Sequence, residues 1–142
     1  MPRTQQPNNP KRRIAPPGQL SAAEQADLLA RARYVGSALH KHKAADYGFH
    51  PPGNPRPHKS LCDDLRIIRR QEAAQLMANG IRLGMISACP AGQLPKFIWS
   101  VDQDGEAYEA KIDRNGYHGY RLDRDHEKTM RQYVLDEWTR RQ

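Results

Sequence analysis

The sequence has few cysteines and no long apolar run. Its two cysteines are Cys62 and Cys89, and two widely spaced cysteines do not build the disulfide framework of a small secreted domain. No apolar run approaches the length of a transmembrane helix or of a signal-peptide core. These absences predict a reduced, soluble, cytoplasmic protein that does not enter a membrane.

The chain also lacks the short motifs of several common catalytic families. It contains no phosphate-binding P-loop, dinucleotide fingerprint, nucleophile elbow or zinc-protease motif. His40 and His42 would face apart on a helix, and prolines precede the pair His58 and Cys62. Structural zinc sites normally show paired, closely spaced ligands. We therefore predict no metal and no cofactor.

Large apolar residues are scarce in residues 1–19, where Ile14 is the only one after Met1, and five prolines lie in the same stretch. Such a segment buries too little surface to offset its ordering entropy. The composition predicts a disordered, basic, proline-rich tail over residues 1–19. The length of the chain predicts one domain over residues 20–142.

Acidic residues are scarce in the first half of the chain. The first 70 residues carry 13 Lys and Arg against 5 Asp and Glu, whereas residues 71–142 carry 10 against 11. This asymmetry suggests an anionic partner, RNA or another polyanion. A solubilising tail without a specific partner is the alternative. The candidate binding residues are Lys11, Arg12, Arg13, Arg31 and Arg33.

Two helices are predicted before the sheet. Ser21 and Glu24 fit a capping box, and an apolar stripe follows at helical spacing, formed by Leu28, Ala32, Val35 and Leu39. A second helix is predicted over residues 72–81, which are rich in helix-favouring residues, with Gly84 as its stop.

The β-branched and aromatic residues favourable to strands are concentrated in residues 96–122. Phe97, Trp99 and Val101 alternate, so they share one face of a strand. Asp104-Gly105 and Asn115-Gly116 are dipeptides typical of tight hairpin turns. The pattern predicts a three-stranded antiparallel meander with strands at about 96–102, 106–113 and 117–122.

A third helix should follow the sheet. Asp123 is its predicted cap, and its apolar stripe indicates packing across the sheet with Trp138 largely buried; the stripe is Met130, Tyr133, Val134 and Trp138. The predicted fold is therefore α+β, with two N-terminal helices, a three-stranded antiparallel meander and a C-terminal helix packed on the sheet.

One face of the meander is predicted to be polar. If Asn115-Gly116 forms a two-residue turn, His118 lies opposite Asp113 and Tyr120 lies opposite Lys111. Glu109 shares their face, whereas the pattern does not fix the register of Trp99. The candidate catalytic residues are therefore His118, Glu109, Lys111 and Tyr120.

This set suits attack of an RNA 2′-hydroxyl on phosphate. A histidine can transfer a proton near neutral pH, and a lysine can stabilise charge that develops on phosphate. A glutamate can act as the second acid or base, and a tyrosine can stack on a base. Ordinary cross-strand pairing on a half-exposed sheet face is the alternative.

Four short runs resemble a set of small bacterial proteins of no settled activity, over residues 56–140. The runs are Ile98-Trp99-Ser100-Val101, Glu109-Ala110, Tyr117-His118-Gly119-Tyr120 and Glu137-Trp138. The architecture is also similar to that of barnase, colicin and RelE-type ribonuclease toxins, which implies a cognate inhibitor. The multi-residue catalytic pattern of those toxins is not evident here, and a shared architecture does not carry a function by itself.

The leading hypothesis is an RNA-binding protein with toxin-like endoribonuclease activity at His118. One alternative is a non-catalytic adaptor that binds a protein partner through the proline-rich stretch 49–59 and the sheet. The other is a DNA-associated accessory protein that uses the basic first half of the chain.

Overall fold

The computed structural model describes residues 10–35, 70–90 and 92–142. The elements follow the order α1 (Ala22–Arg31), α2 (Arg70–Arg82), β1 (Phe97–Val101), β2 (Ala107–Ile112), β3 (Tyr117–Arg121) and α3 (Lys128–Arg141). The strands form an antiparallel sheet in the order β1-β2-β3. The predicted α+β class, with its meander and C-terminal helix, is confirmed. Within these residues, no helix combines the length and apolarity that a membrane span requires.

Helix α1 begins at the predicted capping box but ends earlier than predicted. The hydroxyl of Ser21 accepts a hydrogen bond from Glu24 N at 3.1 Å, and the Glu24 carboxylate accepts one from Ser21 N at 3.1 Å. The predicted continuation through Val35 is wrong, because Val35 N donates to Tyr117 O at 2.7 Å. The chain leaves the helix to pair with the edge of β3. Leu39 lies outside the described residues.

Helix α2 lies with its backbone directly against β1. A Cβ atom added at Gly80 would lie 2.1 Å from the carbonyl oxygen of Trp99, so a larger residue does not fit unless the helix moves. The helix ends before Gly84, as predicted, and the φ angle of Gly84 is +68°. This left-handed conformation favours glycine and takes the chain out of the helix.

Short extended segments pair with both outer strands of the sheet. At β1, Ser87 N donates to Phe97 O at 3.0 Å. At β3, Tyr117 N donates to Arg33 O at 2.7 Å. These bonds pair backbone groups that the edge strands would otherwise expose.

The β2–β3 hairpin has a register two residues away from the predicted one. His118 lies opposite Lys111, whereas the prediction placed it opposite Asp113. The error arises in the turn, where the Asp113 carboxylate accepts from Asn115 N at 2.8 Å and Asp113 N donates to Gly116 O at 2.9 Å. Because side chains alternate with a period of two, a shift of two residues leaves the predicted faces unchanged.

The two faces of the sheet pack against different helices. One face contributes Ile98, Ala110 and Tyr117 to a cluster with the buried side chains of α1 and α2. The other contributes Phe97, Trp99 and Ala107 to a cluster with α3. The buried residues of α3 are Met130, Tyr133 and Val134. Both faces are therefore covered by helices.

Asp123 does not cap α3, which corrects the prediction. The helix begins after Glu127, whose side chain makes no capping hydrogen bond. The Asp123 carboxylate instead accepts from Asp125 N at 2.8 Å and from His126 N at 2.7 Å, in the turn before the helix. The Asp-containing turn competes with helix initiation, which is a common behaviour of aspartate.

Trp138 packs against the α3 cluster and is half-buried rather than fully enclosed, so its predicted packing on the core is confirmed only in part. The buried position in the last turn of α3 belongs to Arg141, whose side chain is 5% exposed. Its guanidinium donates to Gly84 O at 2.6 Å and to Ala15 O at 2.5 Å. The last turn of α3 is therefore fixed to the domain by the hydrogen bonds of Arg141 rather than by a fully enclosed Trp138.

Candidate nucleic-acid interface

The sheet face that carries the predicted catalytic residues is covered, and Glu109 on it has no exposed surface. Trp99 Nε1 donates to Glu109 Oε1 at 2.9 Å, and the Tyr120 hydroxyl donates to Glu109 Oε2. Burial, together with the neighbouring Glu109 charge, raises the pKa of Tyr120 above its ordinary value. Tyr120 therefore keeps its proton, and Glu109 is a buried acceptor away from the surface.

Lys111 and His118 lie nearer the surface at one end of the same face. They are cross-strand partners, and Lys111 is exposed. The His118 side chain is 18% exposed, and its Nδ1 lies 3.4 Å from Asp113 Oδ2. The structure thus divides the four predicted catalytic residues into a surface pair, Lys111 and His118, and a buried pair, Glu109 and Tyr120.

Residues 10–16, which we call the strap, pack on the domain although their composition predicts disorder. Ala15 is buried, and its N–H donates to Ile86 O at 2.7 Å. Ile14 N donates to the Tyr133 hydroxyl at 2.8 Å. Backbone pairing with distant segments therefore orders a stretch that has only one large apolar side chain.

Arg12 points from the strap into the covered sheet face. Its Nε donates to Glu109 Oε1 at 2.9 Å and its Nη2 donates to Glu127 Oε2 at 3.2 Å. Burial lowers the pKa of Arg12, but the charges and hydrogen bonds of Glu109 and Glu127 outweigh it, so the pKa lies above its ordinary value. Arg12, predicted to bind nucleic acid, is thus engaged inside the protein.

The residues on either side of Arg12, Lys11 and Arg13, line a cleft of about 480 Å³ together with Lys96. We call it the basic cleft. Its other walls are Pro10, Ile14, Ala15, Pro16, Ser87 and Ala88. Among the described residues that line it there is no Asp or Glu. The Lys96 ammonium lies 5.9 Å from the centre of the Phe97 ring. Three cationic residues, Lys11, Arg13 and Lys96, therefore line one concave surface.

Neither Arg31 nor Arg33 lines the basic cleft. Arg31 Nη2 lies 2.8 Å from Asp27 Oδ2 and donates to Gly92 O at 3.0 Å, beside a separate cleft of about 200 Å³. Arg33 is exposed and lies beside β3, where its carbonyl accepts from Tyr117 N. The structure therefore brings together two of the five predicted binding residues, Lys11 and Arg13, and adds Lys96.

The residues considered as metal ligands, His40, His42, His58 and Cys62, lie outside the described part of the chain. Among residues 10–35, 70–90 and 92–142, no group of three or more His, Cys, Asp or Glu side chains is placed to hold a metal ion. The proline-rich stretch 49–59 of the adaptor hypothesis also lies outside these residues.

Comparisons with protein-family models, with curated proteins and with solved structures gave no match for this chain. The resemblance to small bacterial proteins and to ribonuclease toxins therefore stays a prediction. The site itself supplies the argument for function.

Proposed function

We propose that this protein binds single-stranded RNA through the basic cleft. The observation that carries the proposal is that Lys11, Arg13 and Lys96 line one cleft, without a carboxylate among the described residues that line it. Lys and Arg that neutralise phosphates release condensed counterions, and this release supplies most of the sequence-independent affinity for nucleic acid. The excess of positive charge in the first half of the chain favours the same class of partner.

The shape of the cleft favours a single strand over a duplex. Its volume of about 480 Å³ lies in the range of ligand-binding clefts. A flexible single strand can place consecutive phosphates inside such a groove. A rigid duplex presents its phosphates on a convex surface, which contacts the rim of a cleft better than its floor.

RNA binding does not require that the protein cleave RNA. Of the predicted catalytic residues, Lys111 is exposed and His118 partly exposed, whereas Glu109 is buried beneath Arg12. The ribonuclease hypothesis therefore depends on the surface pair. It is a separate hypothesis with its own test.

The proposal is tested by fluorescence anisotropy with a labelled RNA of about 20 nucleotides, over a series of salt concentrations. Lys96→Gln should lower the slope of log affinity against log salt by about 0.7, which is about 5-fold in affinity near 0.1 M salt. The matched control is Arg140→Gln, which removes the same charge from the end of α3, where Arg140 pairs with Glu137. The control should bind like the wild type.

Two results would overturn the proposal. One is no RNA binding by the wild type even at low salt, and the other is an equal loss of affinity in Lys96→Gln and Arg140→Gln. DNA of the same sequence is measured in parallel, because the 2′-hydroxyl is the group by which a protein distinguishes RNA from DNA. Tighter binding to DNA would replace RNA with DNA as the partner.

A further inference from the structure

The strap reaches the domain through contacts on three sides. Ala15 N donates to Ile86 O at 2.7 Å, on the β1 side of the molecule. Ala15 O accepts from Arg141 Nη2 at 2.5 Å, at the end of α3. Arg12 reaches Glu109, in the middle of β2. Ala15 anchors the end of the strap nearer α1, whereas Arg12 anchors the end that carries Lys11.

The contact of Arg12 with Glu109 joins two largely buried charges. The Glu109 side chain has no exposed surface, and the Arg12 side chain is 20% exposed. A buried carboxylate without a cation is strongly unfavourable, so each partner holds the other in place. Lys11 and Arg13, the neighbours of Arg12 in the chain, line the basic cleft. Arg13 lies between Arg12 and the backbone hydrogen bonds of Ile14 and Ala15, whereas Lys11 lies on the far side of Arg12, so the contacts of Arg12 hold Lys11 in particular at the cleft.

We propose that Arg12 and Glu109 are positioning residues for nucleic-acid binding. Their buried ion pair fixes the strap so that Lys11 and Arg13 stand at the basic cleft beside Lys96. Neither Arg12 nor Glu109 lines the cleft, so they act through the strap. This inference rests on the proposed RNA binding and concerns the same site.

Glu109→Gln gives the sharpest test because two arguments predict opposite results. The change raises the net charge by one, so long-range electrostatics alone predicts tighter RNA binding. Positioning predicts weaker binding, since a neutral amide holds Arg12 less firmly than a carboxylate does. Loss of the Lys11 contact alone lowers the slope of log affinity against log salt by about 0.7 and the affinity by about 5-fold near 0.1 M salt. Loss of both the Lys11 and Arg13 contacts lowers the slope by about 1.4 and the affinity by up to about 25-fold.

Three further variants support the measurement. The double variant Lys11→Gln/Arg13→Gln defines the slope of log affinity against log salt that remains when both strap cations are lost. The slope measured for Glu109→Gln should lie between the wild-type slope and this value. Glu127→Gln removes only the outer partner of Arg12, on a side chain that is 37% exposed, and should give a smaller effect of the same sign. Arg140→Gln again serves as the surface-charge control.

Docking of the strap is measured independently of RNA by hydrogen exchange at the Ala15 amide, which is bonded to Ile86 O. Glu109→Gln should raise the exchange rate of this amide several-fold, and RNA should slow it in the wild type, because linkage is reciprocal. Near-UV circular dichroism confirms that the remainder of the variant is folded. If loss of the Arg12–Glu109 hydrogen bond only lowered the free energy of unfolding, the slope of log RNA affinity against log salt would be unchanged for the folded protein.

The inference and the proposed function fail in different ways. If Lys96→Gln weakens RNA binding while Glu109→Gln leaves it unchanged or tightens it, the positioning role alone is overturned. Unaltered exchange at Ala15 together with an unaltered salt slope in Glu109→Gln would overturn the same role. Absence of RNA binding by the wild type would overturn both.

Discussion

Trp99 donates its indole N–H to the Glu109 carboxylate at 2.9 Å, and the two residues face each other across the β1–β2 ladder. Both side chains are completely buried. Glu109 also accepts from Tyr120 and Arg12, so its two oxygens are shared among three donors. This arrangement satisfies the rule that a buried charge is paired and hydrogen-bonded. The buried Glu109 carboxylate therefore fixes the side chains of Trp99, Tyr120 and Arg12 around it.

Trp99→Phe should destabilise the protein, because it removes one donor from the buried Glu109 carboxylate. The loss should be about 1–3 kcal/mol in the free energy of unfolding, the range for a buried polar group that loses a partner. Urea unfolding followed by circular dichroism measures it. Trp138→Phe is the matched control, since Trp138 is half-buried at the rim, and it should cost less. Equal losses in the two variants would contradict the structural role of the Trp99 bond.

Gly80→Ala should destabilise the protein even though alanine favours helix by about 1 kcal/mol. The added methyl would lie 2.1 Å from the Trp99 carbonyl oxygen, so α2 must move away from β1. Overpacking of this kind costs about 1–3 kcal/mol. Gly119→Ala is the comparison, because its methyl would lie 3.3 Å from the side chain of Tyr34, which moves more readily than a backbone atom. A rise in melting temperature for Gly80→Ala would contradict the close approach of α2 and β1.

Asp123 should contribute stability that disappears in acid. Backbone hydrogen bonds from His126 and Asp125 lower its pKa from the ordinary 3.8 to about 2, although burial acts in the opposite direction. A carboxyl whose pKa is depressed by folding stabilises the protein above its unfolded pKa and loses that contribution as the pH falls through the folded value. The difference in unfolding free energy between wild type and Asp123→Asn should therefore be constant above the ordinary value and should shrink as the pH falls towards 2.

Urea titrations across this acid range measure that difference. Asp125→Asn is the control, because the Asp125 side chain is exposed and only its backbone N–H contacts Asp123. A pH-independent difference between wild type and Asp123→Asn would show that the carboxylate charge is not the source of the stability.

The ribonuclease hypothesis predicts that His118→Ala reduces RNA cleavage by roughly 10²–10⁴, the usual effect of removing a proton-transfer group. Purified wild type and His118→Ala are incubated with total RNA, and folding is checked by circular dichroism. The adaptor hypothesis predicts no cleavage by either protein. Cleavage of equal rate in both would remove His118 from the mechanism, whereas no cleavage would leave RNA binding without catalysis.

Short sequence patterns predicted the helices and turns that are determined by interactions between residues close in the chain. The capping box at Ser21 places the start of α1, and alternation about Asp104-Gly105 gives the β1–β2 hairpin. The register at Asn115-Gly116 was wrong, because an aspartate side chain in the turn moved the two turn residues by one position. The preference of Asn-Gly for two-residue hairpin turns takes no account of that competing hydrogen bond.

The strap and the basic cleft depend on contacts that no local pattern contains. The hydrogen bond from Arg12 to Glu109 spans 97 residues of sequence, so composition predicted disorder where the structure has a buried ion pair. The charge distribution does not single out Lys96, because residues 71–142 are nearly balanced in charge. The position of Lys96 immediately before β1 is a sequence feature that could have indicated it, because the end of a strand holds a side chain at a defined position.

The strap is translated before the residues of α3 to which it binds. Ile14 N bonds to a hydroxyl 119 residues further along the chain, and Ala15 O bonds to a guanidinium 126 residues further along. Because a chain is synthesised from its N-terminus, these contacts cannot form until α3 has left the ribosome. The strap therefore leaves the ribosome before the helices and strands α1 to α3 but docks only after α3, and Lys11, Arg12 and Arg13 remain undocked on the nascent chain in that interval.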